Sequence, residues 1–114
     1  MRTWDLETAV ERIPGGVIVT VRGRIGRLTA ARFAAALAAA RRETSRLVVD
    51  LQKVDYVSGL GLGALIEAAA AAETLILCGV GDAVRNTLEL AGLAGRVRFE
   101  ESRQAAIERL TDGP

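Results

Sequence analysis

A chain of 114 residues with a formal net charge of +1 has room for one ordinary domain, and no surplus charge to hold DNA, RNA or an anionic membrane. Half of its residues are hydrophobic and a quarter are charged, which excludes a disordered or fibrous chain. Histidine is absent and Cys78 is the single cysteine, so there is no intrachain disulfide, no usual zinc or haem ligand set and no histidine general base.

The first residues, Met1-Arg-Thr-Trp-Asp-Leu-Glu, lack the apolar core of a signal peptide. No uncharged stretch approaches the ~20 residues of a membrane span. A cytoplasmic location without membrane insertion is therefore expected. Lys53 is the only lysine among fifteen basic residues, and about one residue in six is alanine, a bias of genome composition rather than of function.

In chain order, residues 3–13 alternate imperfectly around Trp4, Leu6 and Val10, and Pro14-Gly15-Gly16 is a turn signal before the β-branched run 17–21. Together they predict an N-terminal hairpin. An arginine-rich connection, 23–26, leads to Thr29 as N-cap of a helix over 30–42, with Ala30, Phe33, Ala34 and Leu37 as its apolar stripe. Residues 46–51 read as a buried strand, followed by a polar connection from Gln52 to Ser58. A second helix over 59–72 is expected to turn Leu62, Leu65, Ile66 and Ala69 inward. Its other side would then show Leu60, Gly63, Ala64, Glu67, Ala68 and Ala71. Residues 74–79 form another buried strand, and Asp82 is placed as cap of a third helix, 83–91, closed by Gly92. A short strand at 97–99 and a helix capped by Ser102 and running to Leu110 complete the chain, leaving 111–114 as a frayed tail. The order β-β-α-β-α-β-α-β-α, without linker or repeat, predicts a single α/β domain over 1–114. Its sheet should be mostly parallel, with an N-terminal hairpin and helices packed on it.

Gly59-Leu-Gly-Leu-Gly-Ala64 matches the G-x-G-x-x-G/A dinucleotide pattern at a helix start. The seven residues between Leu51 and Gly59 are too many for that fingerprint, which needs its glycines tight behind a strand. Helix packing is the simpler reading of these glycines. A small nucleotide-binding α/β domain stays open as an alternative of another class. No pair of carboxylates is spaced for acid–base catalysis, so neither an enzyme nor a cofactor is expected. Asp50, at a strand end close to the loop, is suited to hold that loop by hydrogen bonds to its backbone N–H groups. Tyr56 is expected to pack under its loop, and Cys78 to be a buried, inert thiol.

The stretch Val49-Asp-Leu-Gln-Lys-Val-Asp-Tyr-Val-Ser-Gly-Leu-Gly-Leu-Gly-Ala-Leu65 resembles the signature of the STAS domain, shared by sulphate transporters and anti-sigma factor antagonists. In that signature a buried strand ending in Asp-Leu leads through an aromatic-containing loop to Asp-Ser-(Ser/Ala)-Gly-Leu at a helix start. Gly79 to Leu93 is similar to the family's third helix with its Leu-x-x-x-Gly-Leu ending. The resemblance implies the STAS fold and a non-catalytic regulatory module of the anti-sigma factor antagonist kind. The implied partner is a protein, an anti-sigma factor of the serine-kinase type, docked through residues 55–68. The contact residues would be Asp55, Tyr56, Ser58, Gly59, Leu60, Gly61, Ala64, Glu67 and Ala68. A subunit of a transporter or of a larger signalling assembly is the alternative within the same fold.

In the antagonists the first serine of Asp-Ser-(Ser/Ala)-Gly-Leu is phosphorylated by the partner kinase. Matching Gly-Leu to Gly61-Leu62 puts Gly59 at the acceptor position and Ser58 at the preceding aspartate. Matching Ser58-Gly59-Leu60 to Ser-Gly-Leu puts Val57 there instead. Neither register supplies a serine. Ser58 is the phosphorylation candidate that remains, and its simpler reading is a helix N-cap.

Overall fold

The computed structural model describes residues 6–112. Its elements are β1 (Leu6–Ile13), β2 (Gly16–Ile25), α1 (Ala30–Glu43), β3 (Arg46–Val57), α2 (Gly59–Ala71), β4 (Thr74–Cys78), α3 (Asp82–Leu90), β5 (Arg98–Glu100) and α4 (Arg103–Asp112). The five strands stand in the sheet in sequence order, β1 antiparallel to β2 and every later neighbour parallel. The α/β order and the N-terminal hairpin read from the sequence are borne out. Ile13 pairs with Gly16 across the hairpin, and Gly15 takes φ +89, the left-handed value that a Pro-Gly type II turn requires.

Strand alternation divides the apolar side chains between two faces. Val17, Val19, Val21, Leu47, Val49, Leu75 and Leu77 face one side and pack with Phe33 and Leu37 of α1, Leu65 of α2 and Leu88 of α3. Ile18, Val48, Ile76 and Cys78 face the other side and meet Ala106 and Leu110 of α4. Parallel strands buried on both faces explain why 46–51 and 74–78 read as continuous apolar runs.

Several boundaries differ from the sequence reading. Gln52 to Val57 is not a connection but the second half of β3. It keeps pairing with β2 through two register irregularities, so that Val54 lies beside Gly23 and Val57 beside Ile25. Its buried residues, Val54 and Val57, are three positions apart instead of two, which hid the strand from a period-two reading. Asp82 lies in the first turn of α3 while Gly81 holds the cap position, so the carboxylate faces the positive helix end without capping it. Thr29 occupies the cap position of α1, but its hydroxyl is turned into the preceding loop. The stripe of α1 buries Ala30, Phe33 and Leu37 as expected, yet Ala36 and Ala40 are buried and Ala34 only half-buried. Thr111 and Asp112 are helical, with the Thr111 hydroxyl donating to the carbonyls of Ile107 and Pro14. Trp4 and residues 113–114 lie outside the described residues.

Candidate functional site

The C-terminal ends of the parallel strands carry the loops where α/β sheets of this kind place their function. There β3 passes into α2 across a single residue, Ser58. Its hydroxyl accepts the Gly61 backbone N–H at 3.2 Å, and its own N–H donates to the Ile25 carbonyl at 2.7 Å. The N-cap role read from the sequence is borne out. The second bond clamps the β3–α2 junction to the end of β2.

The inward face of α2 is Gly61, Leu65 and Ala68, spaced i, i+4, i+7. The sequence reading had turned Leu62, Leu65, Ile66 and Ala69 inward. Only Leu65 of these is fully buried; Leu62 and Ala69 are half-buried and Ile66 is exposed. The physical reason is close approach. A Cβ on Gly61 would stand 2.5 Å from Ile25 Cγ2 and 3.0 Å from Val57 Cγ1, so only glycine fits where the first turns of α2 meet the sheet, and this fixes the phase that turns Leu65 and Ala68 inward. Two of the expected contact residues are thereby corrected. Gly61 is buried, and Ala68, placed outward from the sequence, is 0% exposed. Asp55, Tyr56, Gly59, Leu60 and Glu67 are exposed, while Ser58 and Ala64 are half-buried.

Leu60, 62% exposed, stands on the first turn of α2. Gly59 beside it has open space where a side chain would go. Tyr56 does not pack under the loop as expected. It lies on the outside, with the Arg24 guanidinium 4.0 Å from its ring centroid, an arrangement held by the ring's negative face. Arg24 was not singled out in the sequence because its partner lies on a different strand. Glu67 is close to Arg41 of α1, at 3.9 Å and largely in solvent.

The long spacing that had counted against a dinucleotide site disappears, since β3 reaches Val57. A different feature speaks against that fingerprint. Its second glycine leaves room for a pyrophosphate, whereas the room at Gly61 is filled by Ile25 and Val57. The glycine there serves helix packing.

On the opposite face of the sheet, Asp50 accepts a backbone N–H just ahead of it as expected, but it does so from within β3 and not from a strand end holding a loop. Its Oδ1 accepts the Gln52 N–H at 3.0 Å, while its Oδ2 is 3.2 Å from Arg103 Nη1. Arg103 also donates to the Thr20 hydroxyl and to Glu11, tying the start of α4 to β1, β2 and β3. This is a structural tether. Cys78, beside Asp50 in the ladder, is fully buried, and burial together with the Asp50 carboxylate pushes its thiol up to about 12. Among the described residues no cluster of three or more His, Cys, Asp or Glu side chains is placed to hold a metal ion. No helix among them is long and apolar enough to cross a membrane.

This geometry agrees with three comparisons. A family model described as Mlab, STAS domain matches residues 8–101. The chain is 28% identical over 106 residues to a Bordetella bronchiseptica protein named as the anti-sigma factor antagonist BtrV, covering 89% of this chain and 91% of that one. It superposes on the crystal structure of an anti-sigma factor antagonist from Mycobacterium paratuberculosis with a TM-score of 0.80, at 26% identity over 91% of this chain and 92% of that one. It shares the fold of the Bacillus cell fate determinant SpoIIAA in its phosphorylated form, with a TM-score of 0.71 at 14% identity, covering 91% and 99% of the two chains. With its sheet order, its β3–α2 junction and a family match over most of its length, the chain belongs to the STAS domain family.

Proposed function

We propose that this chain is a non-catalytic regulatory module that docks an anti-sigma factor of the serine-kinase type through the end of β3 and the first turn of α2. Leu60 carries the reading. A leucine 62% exposed on the first turn of a helix, beside an open glycine and an outward Tyr56, is an apolar contact waiting for a surface. The likeness to two proteins named as anti-sigma factor antagonists supplies the partner class. Asp55, Ser58, Gly59, Ala64 and Glu67 surround that contact, and the burial of Gly61 and Ala68 removes them from it.

The docking is constitutive in this reading. The family's acceptor position falls on Gly59 in one register and on Val57 in the other, neither of which has a hydroxyl, and the Ser58 hydroxyl is engaged in capping α2. A phosphoryl group at this helix end would suit the helix dipole, but it would place about −1.5 to −2 charges against an apolar partner surface.

The test uses each serine-kinase-type anti-sigma factor of the genome that encodes this chain, purified singly. One of them is expected to form a stable complex with the wild type in size-exclusion chromatography. After incubation with that partner and ATP, intact-mass spectrometry should show unmodified wild type. Gly59→Ser, which meets no neighbouring atom within 4 Å, should gain one phosphoryl group. A phosphoryl gain on the wild type that disappears in Ser58→Ala would overturn the constitutive reading.

A further inference from the structure

The β2–α1 connection, residues 26–29, is built as a rigid turn. The Thr29 hydroxyl donates to the Arg24 carbonyl at 2.6 Å and accepts the Gly26 N–H at 2.9 Å, while the Gly26 carbonyl receives the N–H groups of Thr29 and Ala30. Thr29 itself is buried. The product of this bonding is an outward Leu28, 85% exposed, with Arg27 exposed beside it. The Ser58–Ile25 backbone bond ties this turn to the β3–α2 junction, and the Arg24–Tyr56 stack spans the gap between them. Two ordered apolar tips, Leu28 and Leu60, therefore stand on adjoining loops at one end of the sheet.

The charges that flank Leu28 along the chain are of one sign. No aspartate or glutamate occurs between Glu11 and Glu43, a stretch that contains Arg22, Arg24 and Arg27. Arg24 and Arg27 form no salt bridge among the described residues. The chain as a whole is nearly neutral, so this excess belongs to the segment and not to the composition; Arg22 is met by Glu7, which leaves Arg24 and Arg27 as its cations at the turn.

Resting on the docking reading above, we infer that the β2–α1 turn is the second half of the contact, and that it selects a partner whose surface offers an apolar recess for Leu28 ringed by carboxylates. A turn already fixed by hydrogen bonds loses little conformational freedom on binding, so the exposed leucine contributes its burial with little ordering cost. Arginines at the rim, Arg27 foremost, set orientation and association rate, and their effect is screened by salt.

The experiment titrates the serine-kinase-type anti-sigma factor that binds the wild type with wild type, Arg27→Glu, Leu28→Ser and Leu60→Arg, at about 50 mM and about 300 mM NaCl. All three positions are exposed, and a thermal melt of each variant checks that the fold is kept. Arg27→Glu is expected to weaken binding about tenfold at the lower salt and much less at the higher. Leu28→Ser should weaken it about tenfold at both. If Leu60→Arg abolishes binding while Arg27→Glu and Leu28→Ser leave it unchanged, the inference falls and the docking reading stands. If no such anti-sigma factor binds the wild type, both fall. Sedimentation of the wild type with anionic phospholipid vesicles, lost in Arg27→Glu, would reassign the arginines to a lipid surface and also overturn the inference.

Discussion

The three glycines of Gly59-Leu-Gly-Leu-Gly63 give the sharpest test of how α2 sits, because the same substitution has opposite effects at neighbouring positions. Alanine in place of glycine inside a helix contributes about 0.8–1 kcal/mol of propensity. Gly63 is exposed, in the body of α2, and a Cβ there meets nothing within 4 Å, so Gly63→Ala should realise most of that gain. Gly59 begins the helix, where propensity counts for less, and Gly59→Ala should be close to neutral. At Gly61 the Cβ would lie 2.5 Å from Ile25 Cγ2 and 3.0 Å from Val57 Cγ1. Ile25 is fully buried and its strand is locked to β3 at the Ile25–Val57 pair, so neither side chain can retreat. Overpacking of this kind costs about 1–3 kcal/mol and outweighs the propensity gain. Gly61→Ala should therefore be less stable than wild type by up to about 2 kcal/mol. For a chain of 114 residues, about 1 kcal/mol moves the melting temperature by roughly 4 °C. Differential scanning calorimetry of the three variants should show Gly63→Ala above wild type and Gly61→Ala below it. Gly61→Ala melting at or above wild type would refute the close approach of α2 to β2 and β3.

The corrected faces of α2 give a second test: Ala68→Arg buries a guanidinium with no partner and should cost about 3 kcal/mol or more, as Leu65→Arg should, whereas Leu60→Arg should stay within about 0.5 kcal/mol. Equal urea midpoints for Ala68→Arg and Leu60→Arg would show that the faces are wrongly assigned. Cys78 supplies a pH dependence. The folded thiol holds its proton to about 12 while the unfolded one ionises near 9.0, so between these values the unfolded state binds fewer protons. Stability then falls as pH rises through that window, by about 1.4 kcal/mol per unit at most, and this group contributes no slope below it. Cys78→Ala should lose that part of the alkaline decline in urea titrations, and identical slopes in the two proteins would contradict the burial argument. Replacing Arg103 by alanine leaves the buried Asp50 without its cation and should cost about 2 kcal/mol or more, measured by urea unfolding at neutral pH; replacing exposed Arg109, paired with Glu100, should cost less than about 1 kcal/mol.

What the chain states locally, its sequence determined by itself. Alternating apolar runs and helix starts placed the hairpin, the parallel strands and the helices in the right order, because strand and helix periods are set by neighbours a few residues apart. The caps at Ser58 and Ser102 were legible for the same reason, since a hydroxyl reaches a backbone N–H only three residues ahead. The burial of Cys78 followed from the apolar strand around it. Tertiary structure alone decided the features that depend on distant partners. The phase of α2 was hidden because an alanine-rich helix looks apolar all round, and only Ile25 and Val57 show why Gly61, Leu65 and Ala68 turn inward. The second half of β3 exists because β2 runs on beside it through two irregularities, which no pattern within 52–57 reveals. Arg24 on Tyr56 and Arg103 on Asp50 join residues 32 and 53 positions apart in the numbering, so their roles come from the packing of the sheet and not from any local spacing.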